Sequence, residues 1–315
     1  MMKAPRIALL AASILVAALP AHASDASPRV RFGVADLGNG VRLHYASEGS
    51  GAPIVFLHGS LSDMSYWKQT VDAFSAHYTA IAYSRRYNLP NHNRAIAGYS
   101  ALTDADDLAA FVRTQHLGKI VLVGHSYGAL DALFFAVRHP EMLRALVLVE
   151  PPAISLLEQL PAARAAEGRA MYRDIQRRMV RPMQDAFRSG DRERGVATFI
   201  DYVFDDPHRW ERWSQEDRDA TLRDAHEWDV MLARGTLFPP LSAQAVRSIA
   251  APTLIVSGAQ TYPFLHLIDD DLAESIPNAE YLVVPEVGHQ VWLERPRTCE
   301  EITEHFLARA LASRS

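Results

Sequence analysis

One stretch of the chain sets a nucleophile between two glycines: Gly124-His125-Ser126-Tyr127-Gly128. A β-branched apolar run, Ile120-Val121-Leu122-Val123, leads into it, and a helical pattern of Ala129, Leu130, Leu133 and Phe134 follows at once. Strand, G-x-S-x-G and helix with no spare residues make a nucleophile elbow. The turn must be sharp enough that a Cβ at 124 or 128 would crowd the neighbouring strand and helix. Ser126 is then held in a strained conformation with its hydroxyl at the tip of the turn. It also sits at a helix N-terminus, where free N–H groups and the helix dipole favour negative charge.

A serine hydroxyl is a weak nucleophile at neutral pH. It needs a general base, and the base needs an orienting acid. Among 13 histidines the base candidate is His289, in Val287-Gly288-His289-Gln290. It follows the last predicted strand, and loops at the C-terminal ends of parallel strands are where such sheets place their ligands.

The elements that must carry these groups are legible in order. Residues 31–45 read as two short strands around the turn Leu37-Gly38-Asn39-Gly40, whose Asn-Gly is a hairpin signal. Buried strands follow at Pro53–Leu57 and Tyr78–Tyr83, with a helix at Tyr66–Phe74 between them. Thr103, with Asp106 three residues on, is expected to cap the next helix. After the elbow comes a strand at Leu143–Val149, ended by Glu150-Pro151-Pro152. From about Ala153 to Gly235 the pattern is helical and charged, with three or more amphipathic helices expected over 161–188, 191–203 and 214–233. Strands return at Thr253–Val256 and Glu280–Val284, and a last helix spans about Arg297–Ala312. Short apolar strands alternating with helices predict an α/β fold, a mostly parallel central sheet flanked by helices. The helical block predicts an inserted lid: core at 24–151 and 245–315, lid at 152–244.

The totals narrow the function class. Of 315 residues, 49% are hydrophobic and 22% charged, ordinary for a globular protein. The net charge is −5; the first 23 residues hold Lys3 and Arg6 and no acid, which leaves −7 beyond them. An acidic chain without a basic stripe gives no support for nucleic-acid binding. Cys299 is the only cysteine, so an intramolecular disulfide and a cysteine-based metal site are excluded. A basic start, the apolar run Ile7–Leu19, Pro20 and then Ala21-His22-Ala23 read as a signal peptide cut after Ala23. The expectation is a periplasmic or secreted protein with no stable membrane span once the signal is removed.

With these residues in view the chain resembles the lid-bearing group of the α/β-hydrolases, which includes esterases, lactonases, haloalkane dehalogenases and epoxide hydrolases. The resemblance covers nearly all of the mature chain and is weakest in the lid. His58-Gly59, Gly124–Gly128, Pro252–Gly258 and Gly288-His289 carry it. In many members the acid lies three residues after the glycine that ends the seventh strand. Here that position is Thr261, and no carboxylate stands there. Other members place a Glu at the end of the sixth strand, 24 residues after the nucleophile, and Glu150 stands 24 residues after Ser126. The resemblance therefore implies Glu150 as the acid; Asp269, Asp270 and Asp271 are expected only to solvate a helix. It implies an oxyanion hole from the backbone N–H groups of Tyr127 and Ser60, with His58 shaping the second loop. Dehalogenases and epoxide hydrolases use an Asp nucleophile, and dehalogenases hold halide with an Asn and a Trp. Ser126, Ser60 and Tyr127 occupy those positions, so neither reaction is expected.

The resulting expectation is a serine hydrolase that cleaves a carboxylic ester or lactone through an acyl-enzyme, with no cofactor and no metal. Its substrate would be a small molecule, apolar or aromatic, held in part by lid residues drawn from Trp210, Trp213, Trp228, Phe199, Tyr202, Phe204, Met171 and Met179. Arg85 and Arg86 are expected in structural salt bridges. The alternatives are perhydrolysis or C–C bond hydrolysis by the same triad, and a non-catalytic small-molecule receptor on the same fold.

Overall fold

The structure is a computed structural model, and it describes residues 30–38 and 40–312. The signal peptide expected at 1–23, with its cleavage after Ala23, and the hairpin residue Asn39 lie outside the described residues. Eight strands form one sheet: β1 Arg31–Asp36, β2 Arg42–Glu48, β3 Ala52–Leu57, β4 Tyr78–Tyr83, β5 Ile120–His125, β6 Leu143–Val149, β7 Thr253–Gly258 and β8 Ala279–Val284. Their order is β1-β2-β4-β3-β5-β6-β7-β8. β1 pairs antiparallel with β2, and β2 antiparallel with β4; every other pair is parallel.

Helices cover both faces: α1 Lys68–Phe74, α2 Ala101–Thr114 and α3 Tyr127–Arg138 in the first half. Between β6 and β7 lie α4 Ala165–Ile175, α5 Arg181–Arg188, α6 Arg192–Val203, α7 Gln215–Asp224, α8 His226–Arg234 and α9 Ala243–Arg247, with no strand among them. α10 Pro263–Ser275, α11 Val291–Glu294 and α12 Pro296–Ala312 close the chain. The central strands are buried on both sides, and successive residues feed opposite cores. On β5, Ile120 and Leu122 join the cluster with α2, α3 and the insertion, while Val121 and Val123 join Trp67, Phe74, Trp292 and Phe306 on the other face. Each such side chain contributes about 1.5–3 kcal/mol by leaving water.

Three local expectations are corrected. Ser100, not Thr103, occupies the cap position of α2; Thr103 is inside the helix and its N–H donates to the Ser100 carbonyl at 2.8 Å. The helix expected over 161–188 begins at Ala165 and carries a π-helical turn at Gln176–Val180. That turn runs up to Pro182, which has no N–H to continue an α-helical ladder. The helix expected over 214–233 is two, α7 and α8, broken at Ala225.

Candidate active site

β3 and β5 are neighbours at the point where the strand order reverses, so the loops leaving their C-terminal ends meet in a crevice. Ser126 follows β5 directly, with φ 53° and ψ −121°, a region L-residues rarely occupy. Holding it there costs of order 1–3 kcal/mol. The glycines make the turn possible. A Cβ on Gly128 would lie 2.5 Å from the Leu57 carbonyl oxygen, and one on Gly124 would lie 2.4 Å from the Gly128 oxygen. Gly59, in the loop after β3, presses against Ser126: its Cβ would be 3.1 Å from Ser126 Cβ.

His289 Nε2 lies 3.0 Å from Ser126 Oγ, and His289 Nδ1 meets Glu150 Oε2 in a short hydrogen bond. Glu150, fully buried with φ 52°, follows β6, the strand beside β5. Its other contacts hold it still. Oε1 accepts from the Gly258 N–H at 2.7 Å, and Oε2 accepts from the Thr261 hydroxyl at 2.7 Å. Thr261 fills the position where many family members carry the acid, and here it serves the carboxylate from β6 instead. The sequence offered the absence of an acid at 261 but nothing that pointed to this supporting role.

The loop carrying His289 is sewn to β7. Gln260 N–H donates to the Val287 carbonyl at 2.8 Å, and a Cβ on Gly258 would collide with the Val287 and Gly288 carbonyls. His125 Nε2 donates to the His289 carbonyl at 2.9 Å, a second role the sequence did not reveal. Burial, then the neighbouring His289, push the His125 imidazole down to about 3, so it stays neutral beside His289.

The remaining expected residues fall as follows. Tyr127 is the first residue of α3, where helix geometry leaves the N–H without an intrahelical acceptor. Ser60 is in the loop after β3 and lines the same cavity. His58 is buried; its Nδ1 donates to the Gly59 carbonyl at 2.8 Å and its Nε2 accepts from the Arg85 N–H at 3.1 Å. Arg85 and Arg86 make buried ion pairs and neither lines the cavity. The Asp269–Asp271 expectation is corrected: Asp269 and Asp271 are buried, because α10 packs them inward. Asp269 accepts from the Ser257 hydroxyl at 2.6 Å rather than from His289. Burial, opposed by that bond and reinforced by the charge of Glu150, pushes its carboxyl well above the usual range.

Ser126 opens on a cavity of about 640 Å³. The insertion supplies much of its wall, including Met179, Phe199, Val203, Phe204, Trp213, Trp228 and Phe238. Trp210, Tyr202 and Met171 are not on that wall. Among the described residues lining it there is no lysine or arginine. Among the described residues, too, no group of three or more His, Cys, Asp or Glu side chains is placed to hold a metal, and no helix is long and apolar enough to cross a membrane.

A strained serine between glycines, at the C-terminal edge of a parallel sheet and hydrogen-bonded to a histidine, defines an α/β-hydrolase class of site. A family profile described as the alpha/beta hydrolase family matches residues 54–302, and the chain belongs to that family. It is 32% identical over 143 residues to a 2-(acetamidomethylene)succinate hydrolase of Mesorhizobium japonicum, covering 44% of this chain and 50% of that one. A soluble epoxide hydrolase of a Corynebacterium is 32% identical over 114 residues, 36% of this chain and 39% of that protein. The chain thus spans half or less of the length of these two curated relatives. Among solved structures, Est816, described as an N-acyl homoserine lactone degrading enzyme, superposes with a TM-score of 0.65 at 24% identity, covering 87% of this chain and 100% of Est816. Carboxylesterase CesB of Bacillus subtilis gives 0.65 at 18% identity, over 89% of this chain and 92% of CesB. At these identities the superpositions show the fold alone.

Proposed function

We propose that the protein is a serine hydrolase that cleaves a neutral carboxylic ester or lactone through an acyl-enzyme. Ser126 Oγ attacks the carbonyl carbon while His289 Nε2 takes its proton. Glu150, bonded to Nδ1, stabilises the imidazolium that forms. The carbonyl oxygen becomes an oxyanion held by the Ser60 and Tyr127 N–H groups, each such donor worth about 3–4 kcal/mol. Collapse breaks the C–O bond, and His289 returns the proton to the leaving alkoxide. Water, deprotonated by the same histidine, then releases the acid and regenerates Ser126.

The observation that carries this reading is the unbroken run of hydrogen bonds from Ser126 through His289 to Glu150, facing an apolar cavity. The cavity wall supports a neutral substrate, because a carboxylate beside the reacting bond would meet no lysine or arginine there. Lactone degradation by Est816 is compatible with it; a succinate-type substrate, as in the Mesorhizobium relative, fits this wall less well. On the same reading residues 152–244 act as a lid over the cavity, between core segments 24–151 and 245–315. The basic and apolar N-terminal pattern supports export, with the mature chain starting at Ser24. The experiment is a panel of p-nitrophenyl esters of increasing acyl length on protein from Ser24 onward, with Ser126→Ala beside it. Turnover that disappears in the variant is expected; turnover that survives it, or none on any ester or lactone, defeats the reading.

A further inference from the structure

We propose that Glu227, on α8 of the helical insertion, is a positioning residue for the oxyanion loop: together with Arg85 it clamps the backbone on both sides of Ser60. The inference rests on the serine-hydrolase reading above. Glu227 Oε1 accepts from the Leu61 N–H at 3.0 Å, immediately after Ser60. Its Oε2 lies 2.5 Å from Arg85 Nη2, and the same nitrogen donates to the Gly59 carbonyl at 3.1 Å, immediately before Ser60. The Arg85 guanidinium also lies 4.9 Å from the centre of the Tyr127 ring, on the residue that supplies the second oxyanion donor. One ion pair therefore touches the supports of both donors.

The loop needs such a support. Leu61 has φ 55°, a left-handed conformation that a γ-branched residue adopts only under constraint. The bond from its N–H to Glu227 supplies one. The ion pair is also expensive to keep for stability alone. Both side chains are fully buried, and well-packed apolar residues in place of a buried pair are often at least as stable. Asp104 at 3.3 Å and Asp131 at 3.7 Å surround the same guanidinium. Burial works against its charge, and Glu227, Asp131 and Asp104 overcome that and hold it firmly protonated. Because Glu227 comes from the insertion and the other groups from the core, the geometry of Ser60 depends on α8 being seated.

The test pairs kinetics with amide exchange. In Glu227→Gln, the amide can accept from Leu61 only by turning its own donor on Arg85. We expect kcat on p-nitrophenyl butyrate to fall about a hundredfold, the scale of one lost oxyanion donor, with KM within twofold. Affinity for a trifluoromethyl ketone, whose serine adduct places an oxyanion in the same hole, should fall in parallel. Arg85→Lys keeps the charge but loses the fork whose other arm, Nη1 on Asp104, fixes Nη2 between Gly59 and Glu227, and should show the same pattern more weakly. A purely structural role would lower the melting temperature and leave kcat and ketone affinity of the folded protein unchanged; that result overturns the proposal. Exchange of the Leu61 amide in the wild-type protein decides the clamp without turnover and without a variant. Slow exchange supports it, and exchange at the rate of an open loop overturns it even if the variants fail to fold. Should wild-type protein hydrolyse no ester, the functional reading fails while the Leu61 exchange still decides the clamp.

Discussion

The two halves of the cavity are built on different rules. The catalytic edge of the sheet is assembled from strand ends, tight glycine contacts and buried hydrogen bonds that leave each group one position. Ser126, His289 and Glu150 all stand within a residue or a short loop of a strand. The helical insertion carries most of its charges outside, the buried Glu227 apart. Its ion pairs, such as Arg177–Asp174, Arg178–Asp174 and Arg194–Asp191, lie on the surface. Pairs of that kind contribute about 0–1 kcal/mol each. Phe199, Phe204, Trp213, Trp228 and Phe238, by contrast, line the cavity. On the proposed reading the sheet edge fixes where a bond breaks, and the insertion, Glu227 apart, fixes what fits above it.

The largest effects should come from the sheet edge. Glu150→Gln should cut turnover by about 10³–10⁴, as removal of an orienting acid does in other triads. Asp270→Asn, on an exposed carboxylate near Arg164, should leave turnover within twofold. Steady-state kinetics on one ester checks both, and the reverse order would move the acid to α10.

A smaller effect lies behind the base. His125 titrates near 6.5 when unfolded but at about 3 when folded, so its folded pKa is depressed. For a histidine this means that stability is full above pH 6.5 and is lost as the unfolded chain takes up a proton below it. Relative to His125→Gln, wild-type protein should lose about 2 kcal/mol between pH 7.5 and pH 5. Urea unfolding at the two pH values measures it; an unchanged difference would mean that His125 is charged or exposed when folded.

The smallest effect should come from the cavity wall that the insertion supplies. Trp213→Ala enlarges the wall without touching the triad. The acyl-length profile should shift toward bulkier groups, with about a tenfold loss of kcat/KM on short esters. Labelling of Ser126 by a small fluorophosphonate should be unchanged. A matching loss of labelling would make Trp213 part of the chemistry rather than of selection.

The sequence was informative in proportion to how local each feature is. The elbow is readable because strand, glycines, serine and helix are contiguous, and a mostly parallel sheet follows from short apolar runs alternating with helices. His289 is marked by its place after the last strand. Glu150 needed the family's second solution for the acid, since no spacing rule derived from the chain alone joins residue 150 to residue 289. Thr261 and Glu227 were out of reach for the same reason. The Thr261 hydroxyl acts on a group 111 residues away, and Glu227 bonds an amide 166 residues away. The helix boundaries that moved, at Ser100, Ala165 and Ala225, lie where capping and packing outweigh periodicity.

An acyl-enzyme on Ser126 is visible by intact-protein mass spectrometry of the wild-type protein, acid-quenched during turnover of p-nitrophenyl butyrate. A species heavier by one butyryl group is expected, mapped to the peptide that holds Ser126 and absent from Ser126→Ala. Turnover without that adduct, or an adduct on another residue, would contradict it.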